Sequence, residues 1–232
     1  MGAGILASVP RGRRLRGSDG SVKLRRVEGR KALAVLGLVA VGLALSGVAP
    51  ADRATWWLEV APVWIGAAIV VPTWRRFPLT PLLCLLLALH AGILELGGHY
   101  TYARVPLGAW LQELLGLTRN PYDRIGHFAQ GFVPAILARE LLLRRSPLRR
   151  GGWLFFLVVC VCLAFSAFYE LIEGASAGIL GQGADAFLGT QGDVWDTQWD
   201  MATALFGALA AQLTLARLHD RQLARLEGAG RG

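Results

Sequence analysis

Residues 152–173 read GWLFFLVVCVCLAFSAFYELIE, and before Glu170 the stretch holds no charged side chain. A bilayer core about 30 Å thick is crossed by about 20 mostly apolar residues in an α-helix. This segment therefore predicts a membrane span. The same criterion, carried outward along the chain, finds five more: 32–49, 57–74, 79–97, 122–143 and 197–217. No internal repeat relates them. The expected fold is all-α, a polytopic membrane helix bundle of about six transmembrane helices. Composition points the same way, since 54% apolar residues and a mean hydropathy of +0.45 exceed what a soluble domain carries, about 45–50% apolar.

The formal charge of +8 lies in clusters between the apolar runs. That excludes a nucleic-acid surface and marks topology instead. With both termini cytoplasmic, 20 of the 24 Lys and Arg fall on the cytoplasmic side, leaving Arg53, Arg104, Arg119 and Arg124 outside. Trp56, Trp57, Trp110, Trp195 and Trp199 then sit at the outer boundary, and Trp74 and Trp153 at the inner one, as aromatic belts require. The organisation expected is a basic, disordered cytoplasmic arm (1–30), a transmembrane domain (31–218) with outer-face elements at 98–121 and 174–196, and a cytoplasmic tail (219–232). The first span follows a basic segment and ends in Ser46-Gly47-Val48-Ala49, as a secretory signal would. Its 18-residue length and the following Pro50 favour retention. Cys84, Cys160 and Cys162 all lie in apolar stretches and read as small hydrophobes.

The acids are placed oppositely to the bases, with 11 of 16 on the outer side. Glu95 with His99, Asp123 with His127, Glu170 with Glu173, and Asp193, Asp196 and Asp200 sit near the outer ends of four different helices. Residues three or four apart share a helix face, so each helix can aim its pair into the bundle. Seven carboxylates (Glu95, Asp123, Glu170, Glu173, Asp193, Asp196, Asp200) against Arg104, Arg119 and Arg124 leave 3 − 7 = −4 before the histidines are counted. Such a surplus cannot all stay ionised in a partly desolvated bundle unless protons or a cation fill the site. Oxygen and imidazole donors without thiolates suit Zn, Mn, Fe or Mg.

Structural readings account for some of these residues as well. Asp193 and Asp196 precede a helix and are suited to capping, as is Asp123 after Asn120-Pro121. Glu95, Glu170 and His99 can reach the interface, and His90 reads as a hydrogen-bonded core residue. Glu140 and Glu113 read as solvated faces, and 110–117 as a short amphipathic helix on the outer leaflet. His127 and Asp200 lie a full turn inside the membrane, where ionisable groups are costly and partnered. The connection 174–192 carries six glycines and no Lys or Arg, which suggests a re-entrant or lid element.

Three segments carry a resemblance: Pro121-Tyr-Asp-Arg-Ile-Gly-His-Phe-Ala-Gln-Gly-Phe132, Phe168-Tyr-Glu-Leu-Ile-Glu173 and Ala184-Asp-Ala-Phe-Leu-Gly-Thr-Gln-Gly-Asp-Val-Trp-Asp-Thr-Gln-Trp-Asp-Met201. In this order they resemble the motifs of the YjdF-like inner-membrane proteins of bacteria, over roughly residues 35–217. The resemblance implies a multi-pass protein of the bacterial inner membrane and marks Asp123, His127, Glu170, Glu173, Asp193, Asp196 and Asp200 as signature positions. It implies no activity.

The residues themselves support three classes of function. One is a metal-dependent hydrolase or transferase acting on a lipid headgroup or other small substrate at the outer face. In it Asp123, His127, Glu170, Asp193, Asp196 and Asp200 are metal ligands, Glu95 and His99 are secondary candidates, and Glu173 is the general base. The second is an ion-coupled transporter or cation carrier, although a cytoplasmic half nearly free of acids offers no inner gate. The third is a membrane assembly protein whose polar cluster locks helices together.

Overall fold

The computed structural model describes residues 33–180 and 189–230. The basic arm (1–30) and residues 181–188 of the glycine-rich connection lie outside the described residues. Seven α-helices are described: α1 (Leu33–Ser46), α2 (Arg53–Thr73), α3 (Pro81–Tyr100), α4 (Pro106–Leu115), α5 (Tyr122–Arg145), α6 (Gly152–Leu180) and α7 (Asp196–Gly230), with a 3₁₀ turn at Tyr102–Arg104. Asp52 caps α2, its Oδ1 accepting the Thr55 N–H at 2.7 Å, and this bond holds its carboxyl below the ordinary value. Thr80 and Pro81 begin α3 in the same way.

Four helices, α2, α3, α6 and α7, are long and apolar enough to cross a membrane, and α1 is a shorter apolar helix within the described residues. α5 falls short on composition, not length. It carries Asp123, Arg124, His127, Arg139 and Glu140 within 24 residues, yet 12 of its residues are buried. Half of this helix packs against protein, so its polar side chains find partners that a lipid-facing helix could not supply. α6 is the opposite case: it turns Phe156, Phe165, Phe168 and Leu171 outward. It also continues through residues 174–180, where the composition suggested the connection had begun. α7 likewise continues through the segment expected as a tail, and its 35 residues reach about 52 Å, well beyond one bilayer core.

α5 and α7 run parallel and touch closely. A Cβ at Gly131 would strike the Ala204 backbone, and one at Gly207 would strike the Phe128 carbonyl. Ala204, Ala208 and Ala211 complete this strip of small residues, all fully buried. Lipid is as apolar as these side chains, so close van der Waals packing replaces the hydrophobic effect as the glue. Gly131→Val is expected to lower stability by about 3 kcal/mol, the upper end of overpacking costs, because the obstacle is backbone that cannot swing away. Thermal unfolding in detergent checks this; an unchanged midpoint would mean the helices do not meet there.

At the opposite end of the bundle from the acid cluster, the structure corrects one sequence expectation. Glu140 is not on a solvated face; it is fully buried. Its carboxylate accepts hydrogen bonds from Thr80 Oγ1 at 2.7 Å, Arg144 Nη1 at 2.6 Å and the Thr80 N–H at 3.2 Å. It also lies 3.0 Å from Nε2 of His219, which is itself fully buried. Arg139 extends the network from His219 Nδ1, at 3.1 Å, to Asp220, at 2.8 Å. One carboxylate thus ties the start of α3, the end of α5 and the distal part of α7 together.

Candidate metal centre

The first turns of α5 and α7 lie side by side because of the packing strip beneath them. A loop knot then fixes their height. Asn120 donates to the carbonyls of Ala103 and Val105 at 3.2 and 3.1 Å while its Oδ1 accepts the Tyr122 N–H at 3.0 Å. Gln191 bonds the Asn120 backbone on both sides, at 2.9 and 3.0 Å. Segment 189–195 is thereby held against the start of α5.

Two guanidinium groups sit among four aspartates here. Arg119 donates to Asp196 at 2.6 Å, Asp123 at 3.1 Å and Asp193 at 3.4 Å. Arg124 donates to Asp196 at 2.8 Å, Asp193 at 3.2 Å and Asp200. Asp193 also closes its own turn, its Oδ1 accepting the Trp195 N–H at 2.9 Å. Asp193 and Asp196 therefore serve the arginines and the entry to α7. Asp123 and Asp200 also face inward, towards His127.

One donor atom each from Asp123, His127 and Asp200 lies within 4.8 Å of the others, and all three residues are buried. His127 Nε2 is 3.5 Å from Asp123 Oδ1 and 3.7 Å from Asp200 Oδ1. Those separations are too long for N–H···O hydrogen bonds. They suit two ligands of one ion, which at metal–ligand distances near 2.1 Å stand roughly 3.4 Å or more apart. The other ring nitrogen, Nδ1, lies 2.9 Å from Gln130 Oε1, which can only accept. With Nδ1 donating there, Nε2 faces two carboxylates, an arrangement that requires positive charge at the centre, carried by a second ring proton or by a cation held between the three side chains. Glu170 stands 3.8 Å from the same ring, and its buried Oε1 has no hydrogen-bond partner among the described residues.

The other expected ligands lie elsewhere. Glu95 packs against Gly42 of α1, and His99 Nδ1 meets the Ser46 carbonyl at 2.9 Å. On α3 it is positions 90 and 94 that turn toward the centre. Residue 95 lies about 100° and residue 99 about 140° round the helix from position 94, facing α1. Glu173, by contrast, shares a cavity with Asp123 and His127 and is buried.

That cavity, about 60 Å³, runs beside the centre between α2, α3, α5 and α6. It exposes a residue the sequence reading passed over, Glu59 of α2, which is 3% exposed with Tyr102 and Tyr169 facing it. The available signal was a lone acid inside an apolar span, one turn past the Trp56–Trp57 belt. Its carboxylate brings the formal count around the centre to two arginines against seven acids: Glu59, Asp123, Glu170, Glu173, Asp193, Asp196 and Asp200. Gly97 and Gly126 leave the space that the Tyr102 ring fills.

A helical bundle with several membrane-crossing helices and a charged group buried at one end defines a multi-pass membrane protein. The chain belongs to the family of predicted membrane proteins DUF2238, whose model matches residues 31–221. Among its relatives is the inner membrane protein YjdF of Escherichia coli (strain K12), 57% identical over 183 residues, which is 79% of this chain and 88% of that protein. No solved structure matches the chain. Its place is the bacterial inner membrane, in contact with the lipid bilayer.

Proposed function

We propose that the chain is a six-span, metal-dependent membrane enzyme, a hydrolase or group transferase, with both termini cytoplasmic and its centre near the extracytoplasmic face. The positive-inside count supports this orientation. The ion is a divalent Zn, Mn, Fe or Mg, held by Asp123, His127 and Asp200. Glu170 is within reach as a further ligand, and Asp193 and Asp196 hold the arginines that orient the site. The observation that carries the reading is the His127 ring, which meets Gln130 Oε1 at Nδ1 while Nε2 faces two carboxylates at ligand separations. Bound there, the ion supplies Lewis-acid polarisation of a substrate oxygen. Glu173, buried on the cavity side, takes the proton as general base. The substrate is a lipid headgroup or other small molecule.

Metal analysis of the detergent-purified chain is expected to return close to one divalent ion per chain, removable by a chelator and restored by added metal. A protein that neither carries nor takes up a stoichiometric divalent ion would end the proposal. Gln130→Leu, which frees the outer ring nitrogen, is expected to weaken metal binding about 10- to 100-fold, read by titration with Mn²⁺.

A carrier reading gains one observation, the buried Glu140–His219 pair at the far end of the same two helices. Against it, the buried positions of α5 from Gly131 to Ala138 and of α7 from Ala204 to Ala211 are apolar. Gln212, buried on α7 between the two ends, is engaged with the Phe155 carbonyl.

A further inference from the structure

α2 packs on α3, α3 on α5 and α5 on α6, while among the described residues α2 and α6 have at most a slight contact, near Glu59 and Tyr169. The helices around the cavity therefore form an arc with one open side. Pro62 of α2 and Phe165 of α6 both line the cavity, and Phe165 is 55% exposed, which puts the opening at that pair. Phe165 lies five residues, about 7 Å, along α6 from Glu170 toward the bilayer centre. At that depth an opening faces hydrocarbon. Ile65, Ile69 and Phe168, exposed on the same two helices, offer lipid an apolar approach.

The lining changes character along its length. Near the centre it is Glu59, Asp123, His127 and Glu173 with two tyrosines; deeper it is mainly apolar, with Pro62, Leu94, Pro134 and Phe165, and His90 and Gln130 are its polar members. Among the described residues no Lys or Arg lines it, and the two nearby guanidinium groups are already engaged by aspartates. Carboxylates accept hydrogen bonds and repel bare anions. A ligand suited to this cavity has an apolar chain and a head that donates.

We propose that a membrane lipid enters sideways through the gap between α2 and α6, laying its chain along Leu94, Pro134 and Phe165. It presents a hydroxyl- or ammonium-bearing head to Glu59, Glu173 and the Asp123–His127–Asp200 group. This names the substrate class of the metal centre and rests on that reading for the chemistry, whereas lipid occupancy is measured separately.

The test uses the full chain in detergent with monooleoylglycerol carrying a diazirine in its chain. Photolabelling is expected on peptides containing Pro62 and Phe165, suppressed by excess unlabelled monooleoylglycerol, and at least ten times less by excess lysophosphatidic acid or by glycerol. Leu94→Trp, which fills the apolar part, is expected to reduce this labelling at least fivefold while Mn²⁺ affinity stays within twofold. Labelling spread evenly over the lipid-facing helices, or equal suppression by all three competitors, would overturn the proposal even if metal binds. Competed labelling in a protein that binds no metal would instead retain the lipid site and remove the metal centre. If Leu94→Trp does not fold, the competition in the unaltered chain decides alone.

Discussion

Replacing His127 by Ala is expected to reduce bound divalent metal from about one ion per chain to nearly none, an affinity loss of at least about 100-fold. This exceeds the 10- to 100-fold typical of losing a residue that merely supports a ligand, because the change removes a donor outright and leaves two carboxylates facing each other across the gap. The fold is expected to survive, since α5 remains packed against α7 through the small-residue strip below. Mn²⁺ titration followed by electron paramagnetic resonance, with circular dichroism as the control for folding, checks both halves. A variant that keeps full metal content would place the ion elsewhere; a variant that merely melts earlier, starting from a metal-free parent, would make the cluster a helix lock. Asp200→Asn complements it, retaining size and hydrogen bonding while removing one charge from the triad.

The second large effect lies at the other end of the molecule. Glu140→Ala is expected to cost about 3 to 5 kcal/mol, the range for stripping one partner from a buried charged network. The variant abandons His219, Arg144 and both donors of Thr80 at once. Changing Glu140 and His219 together to Leu is expected to cost less than the sum of the two single changes, because each deletion removes the same bond. Unfolding followed at a fixed detergent concentration measures all three proteins. Additive losses would mean the two residues act independently and that α3 is held to α7 by something else. Metal binding in folded Glu140→Ala is expected to match the parent, since 17 residues of α5, about 25 Å, separate Glu140 from Asp123.

The membrane class, the helical content and the level at which most acids cluster were legible because each follows from a local rule: span length, charge bias and helical spacing. His127 and Asp200 also stood out in the sequence, as ionisable groups placed where lipid would penalise them unpartnered, and Asp123 by its i, i+4 spacing to His127. Glu59 did not, since its partners Tyr102 and Tyr169 come from segments 43 and 110 residues later. Glu140 was misjudged for a related reason: flanking arginines made it look solvated, but burial depends on which helices surround it, and neither α3 nor α7 is adjacent to α5 in the chain.

The sequence by itself determined a membrane-spanning helical chain whose acids near the helix ends require a compensating positive charge, because hydropathy and spacing act over a few turns of one helix. Only the tertiary structure decided which acids meet. The rotational setting of α3 turns Glu95 and His99 to α1 and leaves His90 and Leu94 at the cavity. The Gly131–Ala204 contact sets α5 and α7 in register so that Asp200 arrives beside His127. Side-chain direction about a helix axis is fixed by packing against neighbours distant in sequence, and no local pattern encodes it.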